Sequence, residues 1–293
     1  MSKKVFVAGA TGFQGGAIAR KCIEEGYQVV TLSTQQKPPS SEGHSKGVEI
    51  IPGSFADQGA VLQALEGVQY VCLTFPLRFD RELLLQYGQH IVEAVKHHAI
   101  KQMVWNTSIS IPNKQTGLIA FDSKNELTTL FEKAGLPIVT VVPDIYMDNL
   151  VAPWSIPLLK EQGILPYPVP SGVQIPWISH HDLAEFVFAA MHRQELQGQR
   201  IEIGGAVCSG EELAKAIGAQ VGKPIQYIGV TPDDFEKQVT PMLGPEAAHE
   251  IANIYRYVEE HQALLGNKNF QLAKDKLGVD VQSASAWASS LSI

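Results

Sequence analysis

The chain has 293 residues, enough for one large domain or for a nucleotide-binding domain with a smaller one attached. Apolar residues make up 45% and charged residues 18%, with ordinary glycine and proline content, which excludes the fibrous and disordered classes. The net charge of -7, without any Lys/Arg cluster, excludes backbone-neutralising nucleic-acid binding as the main task, and no apolar run approaches the roughly 20 residues that span a bilayer.

Residues 5–8 form a short apolar run that breaks at Gly9, too short for a secretory signal. Cys22, Cys72 and Cys208 are scattered and form no Cys-x-x-Cys pair, so reduced thiols and a cytoplasmic location are expected. The same run reads as the first strand, followed by a helix over 17–25 that Gly26 stops, a strand over 27–32 and a polar loop over 33–47. Then come a strand at 48–51, a helix at 60–65 and a strand at 70–75. A long helix at 82–99, a strand at 103–107, a helix at 123–134 and a strand at 138–142 follow. The strands are nearly continuous apolar runs, the pattern of a parallel sheet buried on both faces. Their alternation with helices predicts an α/β chain with a doubly wound parallel sheet, the Rossmann arrangement.

The character changes after Asn149. Residues 152–176 are rich in Pro, Gly and Leu and read as irregular substrate-side structure. A strand end and helix at 177–192 begin with a capping-box pattern at Ser179 to Asp182, and a strand is expected at 200–203. Helices are expected at 210–221, 232–238 and 245–265, and the tail at 283–293 reads as a helical end. The expected division is a nucleotide-binding domain over 1–150, with 176–204 returning to it. A smaller, mainly helical substrate subdomain takes 151–175 and 205–293.

The strongest local signal is Gly9-Ala10-Thr11-Gly12-Phe13-Gln14-Gly15, placed after the first strand and opening the first helix. Glycine is needed where the chain turns tightly and where backbone must approach a pyrophosphate; the helix start then offers N–H groups and a positive dipole end. Binding of a dinucleotide follows, with Gly9, Thr11, Gly12, Phe13, Gln14 and Gly15 as the phosphate cradle. At the end of the second strand an acid would hold the ribose hydroxyls of NAD. The sequence there is Ser33-Thr34-Gln35-Gln36-Lys37, without an acid. Ser33 and Thr34 can donate hydrogen bonds and Lys37 can supply charge to a 2′-phosphate, so NADP(H) is expected ahead of NAD(H), although the usual arginine is absent.

His180-His181 does not predict a metal site, because adjacent helical residues project about 100° apart. No Walker-type phosphate loop and no Gly-x-Ser-x-Gly nucleophile elbow is present.

Five stretches occur in order: the turn at Gly9 to Gly15, Asn106-Thr107-Ser108, the Lys124 helix, residues 142–150 and residues 176–182. Together they resemble NmrA-like and isoflavone-reductase-like proteins of the atypical short-chain dehydrogenase/reductase class, over roughly residues 3 to 280. The resemblance implies that Phe75 and Pro76 pack near the cofactor and that Pro143 and Ile145 border the nicotinamide. It also implies a role for Lys124 on the nicotinamide ribose or on substrate; its relatives often use dimer packing, and the 82–99 helix fits either that packing or a simple cover for the sheet, between which apolar periodicity does not choose.

Typical short-chain dehydrogenases place a tyrosine four residues before this lysine, which lowers its pKa. Here that position is Ala120, so the usual proton relay cannot operate unchanged. Thr107, Ser108 and Tyr146 are the other candidate proton donors. Two functions fit. The first is an NADPH-dependent reductase that hands hydride to a small apolar acceptor such as a quinone, an activated carbonyl or an alkene, in a pocket lined by Phe75, Tyr146 and Trp154. The second is a non-catalytic NADP(H)-sensing regulator that acts through a protein partner.

Overall fold

In the computed structural model, residues 3–35, 47–261 and 270–293 are described. In chain order the elements are β1 (Lys4–Val7), α1 (Phe13–Glu24), β2 (Gln28–Ser33), β3 (Val48–Pro52), α2 (Gln58–Ala64), β4 (Tyr70–Leu73), α3 (Arg81–His97), β5 (Gln102–Asn106), α4 (Ile119–Lys133) and β6 (Ile138–Pro143). They continue with α5 (Ile156–Gln162), β7 (Ile164–Tyr167), β8 (Ile175–Trp177), α6 (His180–Met191), β9 (Arg200–Ile203), β10 (Ala206–Cys208), α7 (Gly210–Val221), β11 (Gln226–Gly229), α8 (Pro232–Leu243) and α9 (Pro245–Glu260). Two short helices, Gln271–Leu277 and Ala284–Ser289, close the chain. Among the described residues no helix is long and apolar enough to cross a membrane.

The chain divides into two compact units. The first comprises Met1–Pro143, His180–Ile203 and Gln271–Val279; the second comprises Asp144–Ser179, Gly204–Phe270 and Asp280–Ile293. Residues 144–150 therefore lie in the second unit, and the helix Gln271–Leu277 lies in the first, where it packs on β9 and α6.

The first unit holds a seven-stranded sheet in the order β3-β2-β1-β4-β5-β6-β9, and every neighbouring pair is parallel. All residues of β5 and β6 are buried, as the unbroken apolar runs demand. The chain winds from β1 outward through β2 to β3, then returns to place β4 on the other side of β1. That reversal opens a crevice beyond the carboxyl ends of the strands, the usual ligand position in open α/β sheets. The core on the α2–α3–α4 side is built from Phe6, Val61, Leu73, Ile91, Trp105 and Phe131, all fully buried. Tyr27 closes the side where α6 packs: its hydroxyl lies 2.6 Å from His192 Nε2, and its ring meets Phe188 edge-on.

Helix α1 starts at Phe13, four residues earlier than periodicity suggests, so the glycine-rich turn runs straight into its first turn. Helix α4 also starts earlier, at Ile119, which places Lys124 in its second turn instead of at its start.

The second unit has its own core around Trp177, Tyr167, Leu213, Phe235 and Trp287. Residues 152–176, expected to be irregular, contain α5, β7 and β8. Strand β7 pairs in parallel with β11, and β8 pairs antiparallel with β10. Helix α8 runs on to Leu243 with Pro241 inside it, and α9 ends at Glu260.

Candidate functional site

A cleft of about 430 Å³ opens at the carboxyl ends of β1 to β4. Ala8, Gly9, Thr11, Phe13, Gln14 and Gly15 line it after β1; Ser33, Thr34 and Gln35 after β2; Gly53, Ser54 and Phe55 after β3; and Thr74, Phe75, Pro76 and Arg78 after β4. All of these residues belong to the first unit.

The turn owes its shape to two glycines. Gly9 has φ +63°, a left-handed conformation open to glycine without strain. Gly15 packs so closely on the preceding strand end that a Cβ would stand 2.3 Å from the Gly9 carbonyl oxygen and 2.4 Å from that of Ala8. The Gly12 N–H donates to the Gly9 carbonyl at 2.8 Å, closing the turn. Gly12 is also the N-cap of α1, offers no capping side chain, and the first helical turn carries no acid. An anion at this end meets the positive end of the helix dipole with no competing carboxylate in the first helical turn. The Thr31 hydroxyl donates to the Val7 carbonyl at 2.7 Å and so pins the turn to β2.

Gln14 ties the turn to β5. Its Oε1 accepts from Asn106 Nδ2 at 3.1 Å and from the Ser108 hydroxyl at 3.3 Å. Asn106 Oδ1 accepts from the Ser108 N–H at 2.9 Å, and Ser108 sits at φ +63°, rare for a side-chain-bearing residue. The Thr107 hydroxyl donates to the Ile109 carbonyl at 2.7 Å, a local role.

Lys124 is partly buried on α4, with Nζ 5.6 Å from the centre of the Trp105 ring. Desolvation pushes its pKa down from 10.5 to about 8. The ring face attracts the ammonium, yet cannot replace the lost water. Ala120, one turn earlier, is buried and carries no proton.

Of the residues singled out from sequence, Gly9, Thr11, Phe13, Gln14, Gly15, Ser33, Thr34, Phe75 and Pro76 come together around one cleft. Gly12 shapes the turn without lining the cleft, and Lys37 lies outside the described residues. Ser108 and Lys124 are not among the residues that line this cleft, and Pro143 is the buried last residue of β6. Ile145 and Tyr146 belong to the second unit, where Tyr146 is buried and bridges Ile178.

Sequence reasoning missed Gln35, Gly53, Ser54, Phe55, Thr74, Arg78 and Asn106. The strand-end rule applied to β3 and β4, as was done for β1 and β2, finds Gly53, Ser54, Phe55 and Thr74, and Gln35 adjoins the β2 end already read. The Asn106 contact needs the sheet order, because β5 and α1 are far apart in sequence.

Known proteins are similar to this chain in sequence or in fold. An NAD(P)H azoreductase of Xenophilus azovorans is 24% identical over 251 residues, covering 85% of each chain. The crystal structure of an NADPH-dependent quinone oxidoreductase from Escherichia coli, complexed with NADPH, superposes with a TM-score of 0.75 at 18% identity, covering 97% of this chain and 98% of that one. The triphenylmethane reductase of Citrobacter sp., complexed with NADP(H), gives 0.73 at 16% identity, covering 98% and 100%. The NmrA-like family model matches residues 1–286, and the chain belongs to that family.

Proposed function

We propose that the chain is an NADPH-dependent reductase that delivers hydride to a small apolar acceptor, such as a quinone, an activated carbonyl or an alkene. The observation that carries this reading is the cleft at the β1–β4 switch, cradled by a turn in which a Cβ at Gly15 would strike backbone and with no carboxylate among the described residues that line it. An azoreductase, a quinone reductase and a dye reductase among similar proteins support the reaction class.

The dinucleotide suits these residues. Gly9, Thr11, Gly12, Phe13, Gln14 and Gly15 would hold the pyrophosphate at the start of α1. Ser33 and Thr34, with Lys37, would face the adenosine ribose, and Phe75 and Pro76 would pack beside the cofactor. Bound there, the reduced nicotinamide supplies a hydride. Lys124 would hold a ribose hydroxyl or move a proton at Nζ, for which a pKa near 8 is well matched to neutral solution. Ser108 is a second proton donor in this scheme, through its hydroxyl.

NADPH binding is followed by nicotinamide fluorescence, with NADH in parallel, and a quinone or azo dye is then added to the same solution. Tight NADPH binding with fluorescence lost catalytically is expected. Absence of binding by either dinucleotide overturns the reading.

Ala120 favours a second reading, a non-catalytic NADP(H)-sensing regulator acting through a protein partner. It leaves the helix without the tyrosine that normally serves as acid. Tight binding with no turnover of any acceptor would select it.

A further inference from the structure

Among the described residues that line the cleft, Arg78 is the sole charged one. It lies on the exposed connection between β4 and α3, two residues past Pro76. Its charged neighbours are committed to the protein itself. Asp80 Oδ1 accepts from the Leu83 N–H at 3.0 Å and caps α3, and Arg81 Nε pairs with Glu126 Oε2 at 2.8 Å. Among the described residues Arg78 makes no ion pair and no hydrogen bond, so its guanidinium has five N–H donors to offer into the cleft.

The wall after β2 and β3 has matching chemistry. The Ser33 hydroxyl oxygen accepts from the Gln35 N–H at 3.0 Å, and the Ser54 hydroxyl oxygen accepts from the Ala56 N–H at 3.3 Å. Each bond uses a lone pair and leaves the hydroxyl proton to donate elsewhere; among the described residues neither proton is taken. Among the described residues the cleft lining therefore offers one cation and, at Ser33 and Ser54, two hydroxyl protons not otherwise used, with no carboxylate. A ribose diol needs an acceptor, which an acid would provide; a phosphate monoester needs donors and positive charge.

Resting on the dinucleotide reading above, we propose that Arg78 recognises the 2′-phosphate of NADP(H), with Ser33 and Ser54 donating to the same group. The cation that selects the phosphorylated cofactor is thus delivered from the β4–α3 connection. Arginine suits the task because its planar fork meets phosphate oxygens in pairs.

The test compares Arg78→Ala and Arg78→Lys with the parent protein by calorimetric titration of NADPH, NADH, 2′,5′-ADP and 5′-ADP, with thermal melts as a folding control. Arg78 is exposed, so unchanged melting is expected. Arg78→Ala should lose about ten- to hundredfold in affinity for NADPH and 2′,5′-ADP, the range of a charge-assisted hydrogen bond, while NADH and 5′-ADP shift less than about twofold. Arg78→Lys should fall between. Raising salt should weaken NADPH more than NADH in the parent protein and equally in Arg78→Ala. An equal loss for all four ligands would assign Arg78 to the pyrophosphate and overturn the proposal, as would no loss at all. Failure of the parent protein to bind either dinucleotide would instead remove the dinucleotide reading itself.

Discussion

Asn106, the last residue of β5, donates through Nδ2 to Gln14 Oε1 in the first turn of α1 at 3.1 Å, although the two lie 92 residues apart. The same carboxamide accepts the Ser108 N–H through Oδ1, so one buried side chain fixes both the glycine-rich turn and the strained residue after β5. Asn106→Ala removes both bonds and leaves the Ser108 N–H without its acceptor. A loss of about 1–3 kcal/mol in urea unfolding is expected, together with weaker NADPH binding as α1 loosens. Ser108→Gly, which suits φ +63°, should lie within about 1 kcal/mol of the parent, because relief of strain offsets the lost hydroxyl. Equal stability of Asn106→Ala and the parent would show that the bridge contributes nothing.

The two glycines that open α1 should respond differently to a single methyl group. At Gly15 a Cβ would meet the Gly9 carbonyl oxygen at 2.3 Å, an approach that only backbone movement can relieve. At Gly12 the nearest atom is 3.4 Å away, an ordinary contact. Gly15→Ala is expected to cost about 3 kcal/mol or more and to abolish NADPH binding, since the phosphate cradle must deform. Gly12→Ala should fold normally and bind within about tenfold of the parent. Fluorescence titration and thermal melts on both variants decide it, and wild-type binding by Gly15→Ala would contradict the close packing.

In the second unit, α7 begins with a reciprocal cap. The Ser209 hydroxyl oxygen accepts from the Glu212 N–H at 3.2 Å, and Glu212 Oε2 accepts from the Ser209 N–H at 2.7 Å. Ser209→Ala should cost about 1 kcal/mol and Ser209→Thr much less. Thermal denaturation of the pair checks this, and identical melting of Ser209→Ala and the parent would count against the cap.

The first unit was legible because its signals are local. Each strand from β1 to β6 is a mostly apolar stretch of four to six residues bounded by turn chemistry, and glycines mark helix ends, as Gly26 does at φ +81°. In the second unit the helices were legible, α7 at Gly210–Val221 as expected, but the strands were not, for a physical reason. Strands β7, β8, β10 and β11 have three or four residues each and pair only with distant partners, such as Leu165 with Tyr227, so no short window of sequence carries their pattern. Pro166 and Pro176 lie within β7 and β8 and read as breaks. Pro241 misled similarly, since it sits in the last turn of α8, where helix packing outweighs a lost N–H bond. The glycine-rich turn and the absence of an acid after β2 were readable; Arg78 was not, because a lone arginine in a loop carries no signal until the cleft is assembled around it.

Lys124 links stability to function with a definite sign. Its pKa falls from 10.5 to about 8 because burial beside Trp105 disfavours the ammonium. The unfolded chain therefore binds more protons than the folded one between about pH 8 and 10.5, and this group's contribution to stability rises across that window. Below pH 8 the full penalty remains, at most about 3 kcal/mol from the size of the shift. Lys124→Met keeps the volume and removes the charge, so at pH 7 it should be about 1–3 kcal/mol more stable than the parent, allowing for the lost attraction to the ring. That advantage should shrink toward zero as the pH approaches 10. Reductase turnover, in contrast, should fall at every pH if Lys124 has the proposed role, because the ribose contact and the proton carrier would then be lost together. Urea unfolding of both proteins at pH 7 and pH 10, with NADPH oxidation measured alongside, reads both effects. A variant that is stabilised yet inactive marks a buried lysine retained for chemistry. One with unchanged stability at pH 7 would mean that the amine is well solvated, and one with full activity would remove Lys124 from the reaction.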